Sequence, residues 1–420
     1  MAQLNNPEWR DYIDENTQLI SDSDTWVFMA ASAQEEVVMT VTHKESGEEW
    51  FIAKDTPVFE RVCVNPETQE AGYTGTEKPR WADQPTGKLI NKKFKNKTEF
   101  FGRTKVKVTG WLGTQNEKRA LEDLPPYTRE DFELTFDPQV KTNVGAAING
   151  FKHKAQEVCD YLGIDKITHI IGGGDNHRHE LKLPLNPNKP DIPYEGRYKG
   201  QRGAKPLLLD DVRKYLVERL DTVDTSGTGV EADDVFNFYM NKSHKHFLKT
   251  GKHLYIGIAS DKDAMSFNGL LFNPYRDLKT RTWKHQVPYL SSGLGALDLR
   301  DGEVKGKGLL WFMCQLVLGD CADNYYPTRH AGIKFGDVAA YELLYKCKTP
   351  KDALQAVYDQ YQEWYPDGLE YTAWDGTEVK MTAFEWLETI FEAAYMLKSR
   401  TDKTTFKTLM DYTGVKHNES

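Results

Sequence analysis

The chain has little cysteine, and its cysteines are not spaced to form a metal or disulfide framework. Its 420 residues include five cysteines, and no two of them form a CxxC pair. An odd number at irregular spacing argues against both a disulfide framework and a zinc site. We therefore expect reduced, structural thiols.

Long apolar runs and nucleotide-binding loops are also missing. The longest apolar stretch, 309–318, contains Gln315 and is far too short to cross a bilayer. No charged segment followed by an apolar one opens the chain, so we expect neither a secretory signal nor a membrane partner. The glycines at 172–174 do not form GxGxxG, and the GKG at 306–308 lacks the Ser or Thr of a P-loop. These absences favour a cytoplasmic enzyme without a nucleotide cofactor.

Instead, the chain has acidic residues at the ends of several apolar runs. Such runs lead to acids near 22, 175, 261 and 320, and a further acidic group, GVEADD at 229–234, precedes a helical pattern. In open α/β sheets, ligands bind at the carboxyl ends of strands. The candidate residues are Asp22, Asp175, Glu231, Asp233, Asp234, Asp261, Asp263, Asp320 and Asp323.

The GVEADD segment has three carboxylates within four residues, and these repel one another. A helix N-terminus offsets each charge by only about 0.3–1 kcal/mol. A divalent cation offsets far more, because hard cations bind carboxylate oxygens. An ordinary acidic first helical turn is the alternative interpretation.

The net charge of −9 argues at first against a nucleic-acid partner. However, the nine candidate acids account for much of it locally, and two other segments are basic. Residues 78–107 have ten Lys/Arg against two acids, and residues 178–219 have ten against six. Such stripes are typical of phosphate-binding surfaces, although a solvated face is an equally good explanation for the first.

The order of these motifs resembles the 5′-nuclease family of phage 5′-to-3′ exonucleases, flap endonucleases and the 5′-nuclease domain of bacterial DNA polymerase I. The resemblance rests on Asp22, Asp175, YKGQR at 198–202, GVEADD, SDKD at 260–263 and GDCADN at 319–324. The segment 22–28 looks most like the phage exonuclease branch. The resemblance implies an α/β fold: a mostly parallel twisted sheet with helices on both faces, plus a helix–three-turn–helix.

The resemblance implies a metal-dependent 5′-to-3′ DNA exonuclease with 5′-flap endonuclease activity in phage replication and recombination. Its expected substrates are duplex and flap DNA, with RNA/DNA hybrid as a further one. We expect a monomer in the host cytoplasm that works with replication proteins. The alternatives are a PIN-type ribonuclease and a structure-specific DNA-binding protein that has lost catalysis.

Hydrolysis of a phosphodiester needs a nucleophilic water and relief of charge, which two divalent ions supply. We expect Mg²⁺, with Mn²⁺ as a substitute. Asp22, Asp175, Glu231 and Asp233 are assigned to one ion, with Asp234 bridging or supporting them; Asp261, Asp263 and Asp320, supported by Asp323, are assigned to the other. Asp24 is the alternative to Asp22, because Ser23 replaces the glycine common in the family.

Cationic residues complete the predicted site. Lys199 and Arg202 lie three apart, so on a helix they share a face, and the resemblance implies that both reach the scissile phosphate from a mobile arch. Arg178 and Lys205 are predicted phosphate contacts. The hairpin of the helix–three-turn–helix would present Gly332, Lys334 and Gly336 to the duplex, with a monovalent cation nearby.

The chain divides into five predicted parts. Residues 1–40 begin the nuclease core, with a helix at 28–38, and residues 41–145 form a β-rich insertion of unknown role. Residues 146–300 complete the core and include the arch near 176–206. Residues 301–350 form the DNA-binding region, and residues 351–420 form a helical extension with a hairpin around 375–376.

Overall fold

The computed structural model describes residues 8–53, 58, 61–64, 80–81, 90–91, 107–108, 110–174, 176–185, 193–201, 204–274, 287–291, 293–328 and 331–416. The chain forms two compact units. One unit comprises Met1–Ala33 with Val144–Ser420, and the other is Gln34–Asn143. Among the described residues, no helix is both long and apolar enough to cross a bilayer.

The strands, in chain order, are β1 (Gln18–Asp22), β2 (Glu35–His43), β3 (Glu49–Ala53), β4 (Arg61–Val64), β5 (Arg80–Trp81), β6 (Ile90–Asn91), β7 (Lys107–Val108), β8 (Phe132–Val140), β9 (Ile167–Ile171), β10 (Thr222–Asp224), β11 (Tyr255–Ile258), β12 (Gly269–Phe272), β13 (Tyr289–Ser291), β14 (Ala296–Arg300), β15 (Glu303–Lys307), β16 (Leu369–Thr372) and β17 (Glu378–Met381). The α-helices are α1 (Asp24–Ser32), α2 (Trp111–Leu121), α3 (Val144–Leu162), α4 (Leu209–Arg219), α5 (Ala232–Thr250), α6 (Gly308–Leu318), α7 (Asp337–Leu344), α8 (Pro350–Trp364), α9 (Ala383–Ala394) and α10 (Phe406–Thr413).

A six-stranded sheet in the order β10-β9-β1-β11-β12-β13 forms the centre of the larger unit. All its neighbouring strands are parallel except β12 and β13. Leu19 and Ile20 of β1 are fully buried, as expected for a parallel sheet covered on both faces.

Successive side chains of β1 point to opposite faces of the sheet, and each face is covered by helices. Leu19 packs in a cluster with Phe151 of α3 and Leu216 of α4. Ile20 packs in a different cluster with Phe236 of α5. Gly257 permits the close approach of α5, because a Cβ there would lie 2.7 Å from the Phe236 ring. The predicted α/β fold with a mostly parallel sheet and helices on both faces is confirmed.

Helices α6 to α10 share one apolar core. Trp311 and Leu316 of α6 pack with Tyr361 of α8, Trp386 of α9 and Phe406 of α10. The tail beyond residue 350 is therefore continuous with the helices around GDCADN. Its predicted hairpin is present, because β16 pairs antiparallel with β17.

The unit Gln34–Asn143 is rich in strands. A three-stranded antiparallel sheet, β3-β2-β8, buries Met39, Val41 and Phe132 against Leu112 of α2. The predicted helix at 28–38 is wrong in its second half, because α1 ends at Ser32 and β2 begins at Glu35. The β-branched residues there favour a strand. Apart from 80–81, 90–91 and 107, the basic segment 78–107 lies outside the described residues.

Candidate functional site

Neighbouring parallel strands bring the predicted acids together. Strands β9, β1 and β11 are adjacent and run in the same direction, so their carboxyl ends lie at one edge of the sheet. Asp22 is the last residue of β1, and Asp261 follows the end of β11 by three residues. The first turn of α5 places Asp233 close enough to feel the charges of both. Asp175, which follows β9, lies outside the described residues.

These carboxylates are crowded; Asp22, Asp233 and Asp263 are partly buried, whereas Asp261 is exposed. Burial, together with the nearby charges of Asp24 and Asp261, raises the pKa of Asp22 to about 7. Burial and the charge of Asp22 hold the pKa of Asp233 well above its ordinary range. Burial and the charge of Asp261 raise the pKa of Asp263 to about 8. Ionising the whole group at neutral pH is therefore costly unless a cation binds.

Asp24, the alternative to Asp22, already has a cationic partner. Its Oδ1 accepts a hydrogen bond from Arg213 Nη2 at 2.5 Å. Its Oδ2 accepts one from the backbone N–H of Gly172 at 2.9 Å. This arrangement ties α1 to α4 and favours Asp22 as the acid that faces the other carboxylates.

Glu231 lies at the N-cap of α5 and contacts Lys199. Its Oε1 accepts hydrogen bonds from Lys199 Nζ at 2.7 Å and from Asn176 Nδ2 at 2.8 Å. Lys199 Nζ also lies 3.7 Å from Asp323 Oδ1. The Lys199 ammonium therefore links an acid of GVEADD with an acid of GDCADN.

The backbone around Lys199 differs from the prediction. Lys199 has a φ of 57° and lies in a turn after the short 3₁₀ helix Pro193–Gly196. Its backbone N–H donates to the carbonyl oxygen of Asp323 at 3.0 Å, which holds this turn against the loop after α6. The predicted helical face shared with Arg202 is therefore wrong for Lys199. Arg202 itself lies outside the described residues.

The prediction of Arg178 as a phosphate contact is wrong, because its side chain forms a buried ion pair with Asp234. The bridging alternative for Asp234 is wrong for the same reason. Both side chains are fully buried. Arg178 Nη1 and Nη2 lie 3.0 Å and 2.8 Å from the two Asp234 oxygens, and Nη2 also donates to the carbonyl of Tyr395 at 2.6 Å. Asp234 further accepts hydrogen bonds from the N–H groups of Glu231 and Leu397. Arg178 therefore cannot reach a phosphate, and the oxygens of Asp234 are already occupied by protein donors.

The acids after β11 and α6 form the second part of the site. Asp263 begins the short 3₁₀ helix Asp263–Ser266, and its Oδ1 accepts a hydrogen bond from Gln315 of α6. Asp320 Oδ1 accepts the N–H of Ala322 at 2.6 Å, and its Oδ2 lies 2.9 Å from Lys262 Nζ. The charge of Asp320 also contributes to the raised pKa of Asp263, so the two carboxylates are close neighbours.

Several residues of the site were not found from the sequence. Tyr198, almost fully buried, donates its hydroxyl to Asp323 at 2.9 Å. Burial raises the pKa of the Asp323 carboxyl. Asn176, Arg213 and Gln315 hold other acids in place, as described above. Only Gln315 gave a signal that could have been used, namely an amide inside an otherwise apolar helix.

The predicted DNA contacts outside the acid cluster are exposed. Lys205 and Lys334 are both exposed. Gly332 has a φ of 67°, and Gly336 is the N-cap residue of α7. The loop between α6 and α7 therefore presents its backbone to solvent just before a helix N-terminus.

The chemistry of the acid cluster suits a divalent cation. Within the described parts of the chain, no three His, Cys, Asp or Glu side chains are close enough to hold a metal ion as they stand. The donors are nevertheless carboxylates, which Mg²⁺ and Mn²⁺ prefer. The raised pKa values of Asp22, Asp233 and Asp263 indicate uncompensated negative charge where an ion would bind. The residues therefore fit divalent metal ions.

Comparisons with known proteins give only distant likenesses. No protein-family model matches the chain, and no curated protein matches its sequence. Three solved structures from bacteriophage T5 share 14% identity with it: a lysine-to-alanine mutant of the 5′-exonuclease (TM-score 0.32; 60% of this chain, 81% of that chain), a T5 protein co-crystallised with metal ions (0.33; 60% and 82%), and a flap endonuclease variant in a pseudo-enzyme-product complex with DNA and metal ions (0.27; 59% and 90%). Likenesses at this level do not carry the activity of the T5 proteins over to this chain.

Proposed function

We propose that the chain is a metal-dependent nuclease that hydrolyses DNA phosphodiester bonds in the 5′-to-3′ direction and also cleaves 5′ flaps. The observation that carries the proposal is the crowding of Asp22, Asp233 and Asp261 at the carboxyl edge of the sheet. The order of the sequence motifs supplies the polarity and the substrate. Primer removal and DNA processing during phage replication and recombination is the role that we assign to it.

Two groups of acids would hold the metal ions. Asp22, Asp175 and Asp233 would bind one ion, supported by Glu231, which already pairs with Arg178 and Lys199. Asp261, Asp263 and Asp320, supported by Asp323, would bind the other. When bound, such ions activate water and offset charge on the phosphoryl oxygens. Asp234 is left out of both groups, because Arg178 and two backbone N–H groups take up its oxygens.

The protein's own cations and donors act beside the acids. Lys199 pairs with Glu231 and lies near Asp323, where its ammonium would act as a point charge on a phosphate oxygen. Tyr198 fixes the Asp323 carboxylate by donating a hydrogen bond to it. The exposed loop before α7 offers backbone N–H groups to duplex phosphates at a distance from the cut.

The test is cleavage of 5′-labelled duplex, 5′-flap DNA and single-stranded RNA, with Mg²⁺ or with chelator. Short 5′ products from DNA, released only with Mg²⁺, are the expected result. Preferred cleavage of RNA would replace this proposal with a ribonuclease. Tight flap binding without any cleavage would replace it with a binding protein.

A matched pair of variants assigns the activity to the site. Asp233→Asn removes one crowded carboxylate, whereas Asp210→Asn makes the same change at an exposed position on α4. We expect only Asp233→Asn to stop cleavage, with DNA binding retained. Equal activity in both variants would remove Asp233 from the metal site.

A further inference from the structure

The outer side of α5 carries a cavity lined by cations, distinct from the acid cluster. The cavity has a volume of about 580 Å³. Its basic lining residues are Lys242, Lys245, His246, Lys249, Lys398 and Arg400. No acidic residue is among the described residues that line it. The volume is in the range of sites that hold small ligands.

Two separate segments contribute these cations. Lys242, Lys245 and Lys249 recur at intervals of three and four residues, so they form one stripe along α5. Lys398 and Arg400 come from the segment that follows α9. That segment is fixed to α5, because Asn237 Nδ2 donates to the carbonyl of Met396 at 2.9 Å and Asn241 Nδ2 to that of Lys398 at 3.1 Å.

Repulsion among these cations is relieved only in part: the charge of Asp402 favours the Lys398 ammonium, whereas burial and the charge of Lys245 lower its pKa. In the parts of the chain that the structure describes, the four lysines of the cavity and Arg400 form no salt bridge with a carboxylate. The dipole of α5 favours cations only in its last turn, which explains Lys249 but neither Lys242 nor Lys245. Lys242 and Lys398 instead lie over aromatic rings, at 6.0 Å from the Tyr255 centroid and 5.6 Å from the Tyr395 centroid.

We infer that this basic cavity binds phosphate groups of a nucleic-acid strand. Lys245 lies twelve residues beyond Asp233 on α5, which corresponds to about 18 Å along the helix. That distance equals roughly five phosphates of one strand at 3.4 Å each. Phe238 and Leu254 add an apolar wall beside the cations. DNA as the source of the phosphates rests on the proposed function, whereas the phosphate chemistry of the cavity does not.

The test is binding in chelator, where cleavage cannot interfere. The full chain and its Lys245→Gln/Lys249→Gln variant are titrated into labelled duplex DNA at several salt concentrations, and separately with dAMP and inorganic phosphate. The control is Lys152→Gln/Lys214→Gln, which removes two exposed lysines from α3 and α4. Thermal unfolding of each variant checks that the fold is retained.

We expect the cavity variant to bind duplex three- to tenfold more weakly and to lower the slope of log K against log salt by about two, while the control binds as the unmodified chain does. Loss of dAMP or phosphate binding alone would assign the cavity to a free nucleotide or ion. Unchanged binding of every probe by the folded variant would overturn the inference. A chain that binds DNA through the cavity but cuts nothing would leave this inference standing and remove only the proposed function.

Discussion

Two neighbouring groups of acids in this protein have opposite electrostatic surroundings. Around Arg178, the carboxylates of Glu231 and Asp234 are neutralised by a buried guanidinium and by hydrogen bonds. Around Asp22, the carboxylates of Asp233 and Asp261 face one another, and the pKa of Asp233 is well above its ordinary range. In the first group, the paired group, the carboxylates have donors within the protein. In the second, the crowded group, the carboxylates repel one another. The comparison supports the proposal that the crowded group binds metal ions.

The adjacent residues Asp233 and Asp234 illustrate the difference. Successive residues on an α-helix point about 100° apart. Asp234 faces Arg178 and the backbone of Leu397, and Asp233 faces Asp22. The first turn of α5 thus places Asp234 in a buried ion pair and Asp233 among the carboxylates that we propose bind metal.

The largest effect is expected when the paired group loses the guanidinium of Arg178. Arg178→Met should lower the free energy of unfolding by about 3–5 kcal/mol, because it leaves Asp234 buried without its cation and Glu231 with Lys199 alone. Urea denaturation measures this loss. Arg219→Met, at an exposed position at the end of α4, is the control and should change stability little. Equal stability of the two variants would show that Arg178 does not balance the buried acids.

The next effect concerns the crowded group around Asp22. Asp233→Asn should lower the rate of cleavage by at least about 100-fold, the scale for removing one preorganised electrostatic group. It should not lower stability, because it removes a repelled charge. Asp234→Asn should do the reverse and mainly destabilise the fold. Measuring single-turnover cleavage and urea denaturation for both variants separates the two roles, and identical behaviour would erase the distinction between them.

Lys199 contacts both Glu231 and Asp323, and its removal is expected to have a smaller effect. Lys199→Ala should lower turnover about 10- to 100-fold, the value of one hydrogen bond to a charged group, with little change in metal affinity. Lys214→Ala, an exposed lysine on α4, is the control. Unchanged turnover in Lys199→Ala would remove Lys199 from the reaction.

The smallest expected effect is a dependence of stability on pH in the metal-free protein. The pKa values of Asp22 and Asp263, about 7 and about 8 when folded, exceed those of an unfolded chain. The folded state therefore holds more protons, and the free energy of unfolding falls as pH rises from 6.5 to 8.5. Between about pH 4 and 6.5 the buried His169 and His253, with pKa values lowered to about 4, contribute a slope of opposite sign, which offsets that of the two carboxyls.

Urea denaturation in chelator across pH 6.5–8.5 measures this slope, which we expect to amount to about 1 kcal/mol or more, since one pKa unit corresponds to about 1.4 kcal/mol. Adding Mg²⁺ at pH 8.5 should restore the lost stability by binding the folded state. A free energy of unfolding that does not change with pH and is unaffected by Mg²⁺ would indicate that the pKa values of Asp22 and Asp263 are not raised in the folded state.

The sequence was sufficient to predict the sheet and the acids that lie at its edge. An apolar run followed by an acid is a local pattern, and the parallel order of β9, β1 and β11 then brings Asp22 and Asp261 together. Arg178 could not be placed in this way. It stood in a basic stretch, and its partner Tyr395 lies more than 200 residues away in the chain.

The turn at Lys199 was beyond sequence reasoning for a similar reason. Spacing of three from Arg202 fits a helix, but the hydrogen bond to the Asp323 carbonyl selects a left-handed backbone at Lys199. Such long-range contacts outweigh local spacing. They also decided which of the adjacent acids Asp233 and Asp234 remained available.

The central claim is that the carboxyl edge of the sheet holds divalent metal ions. Its most direct test is Mn²⁺ binding to the full chain at pH 8, measured by calorimetry or electron paramagnetic resonance, for the unmodified protein, Asp233→Asn and the exposed control Asp210→Asn. We predict two Mn²⁺ ions bound per chain in the unmodified protein and the control, and weakened or lost binding in Asp233→Asn. Identical binding by all three proteins, or no binding by any, would contradict the claim.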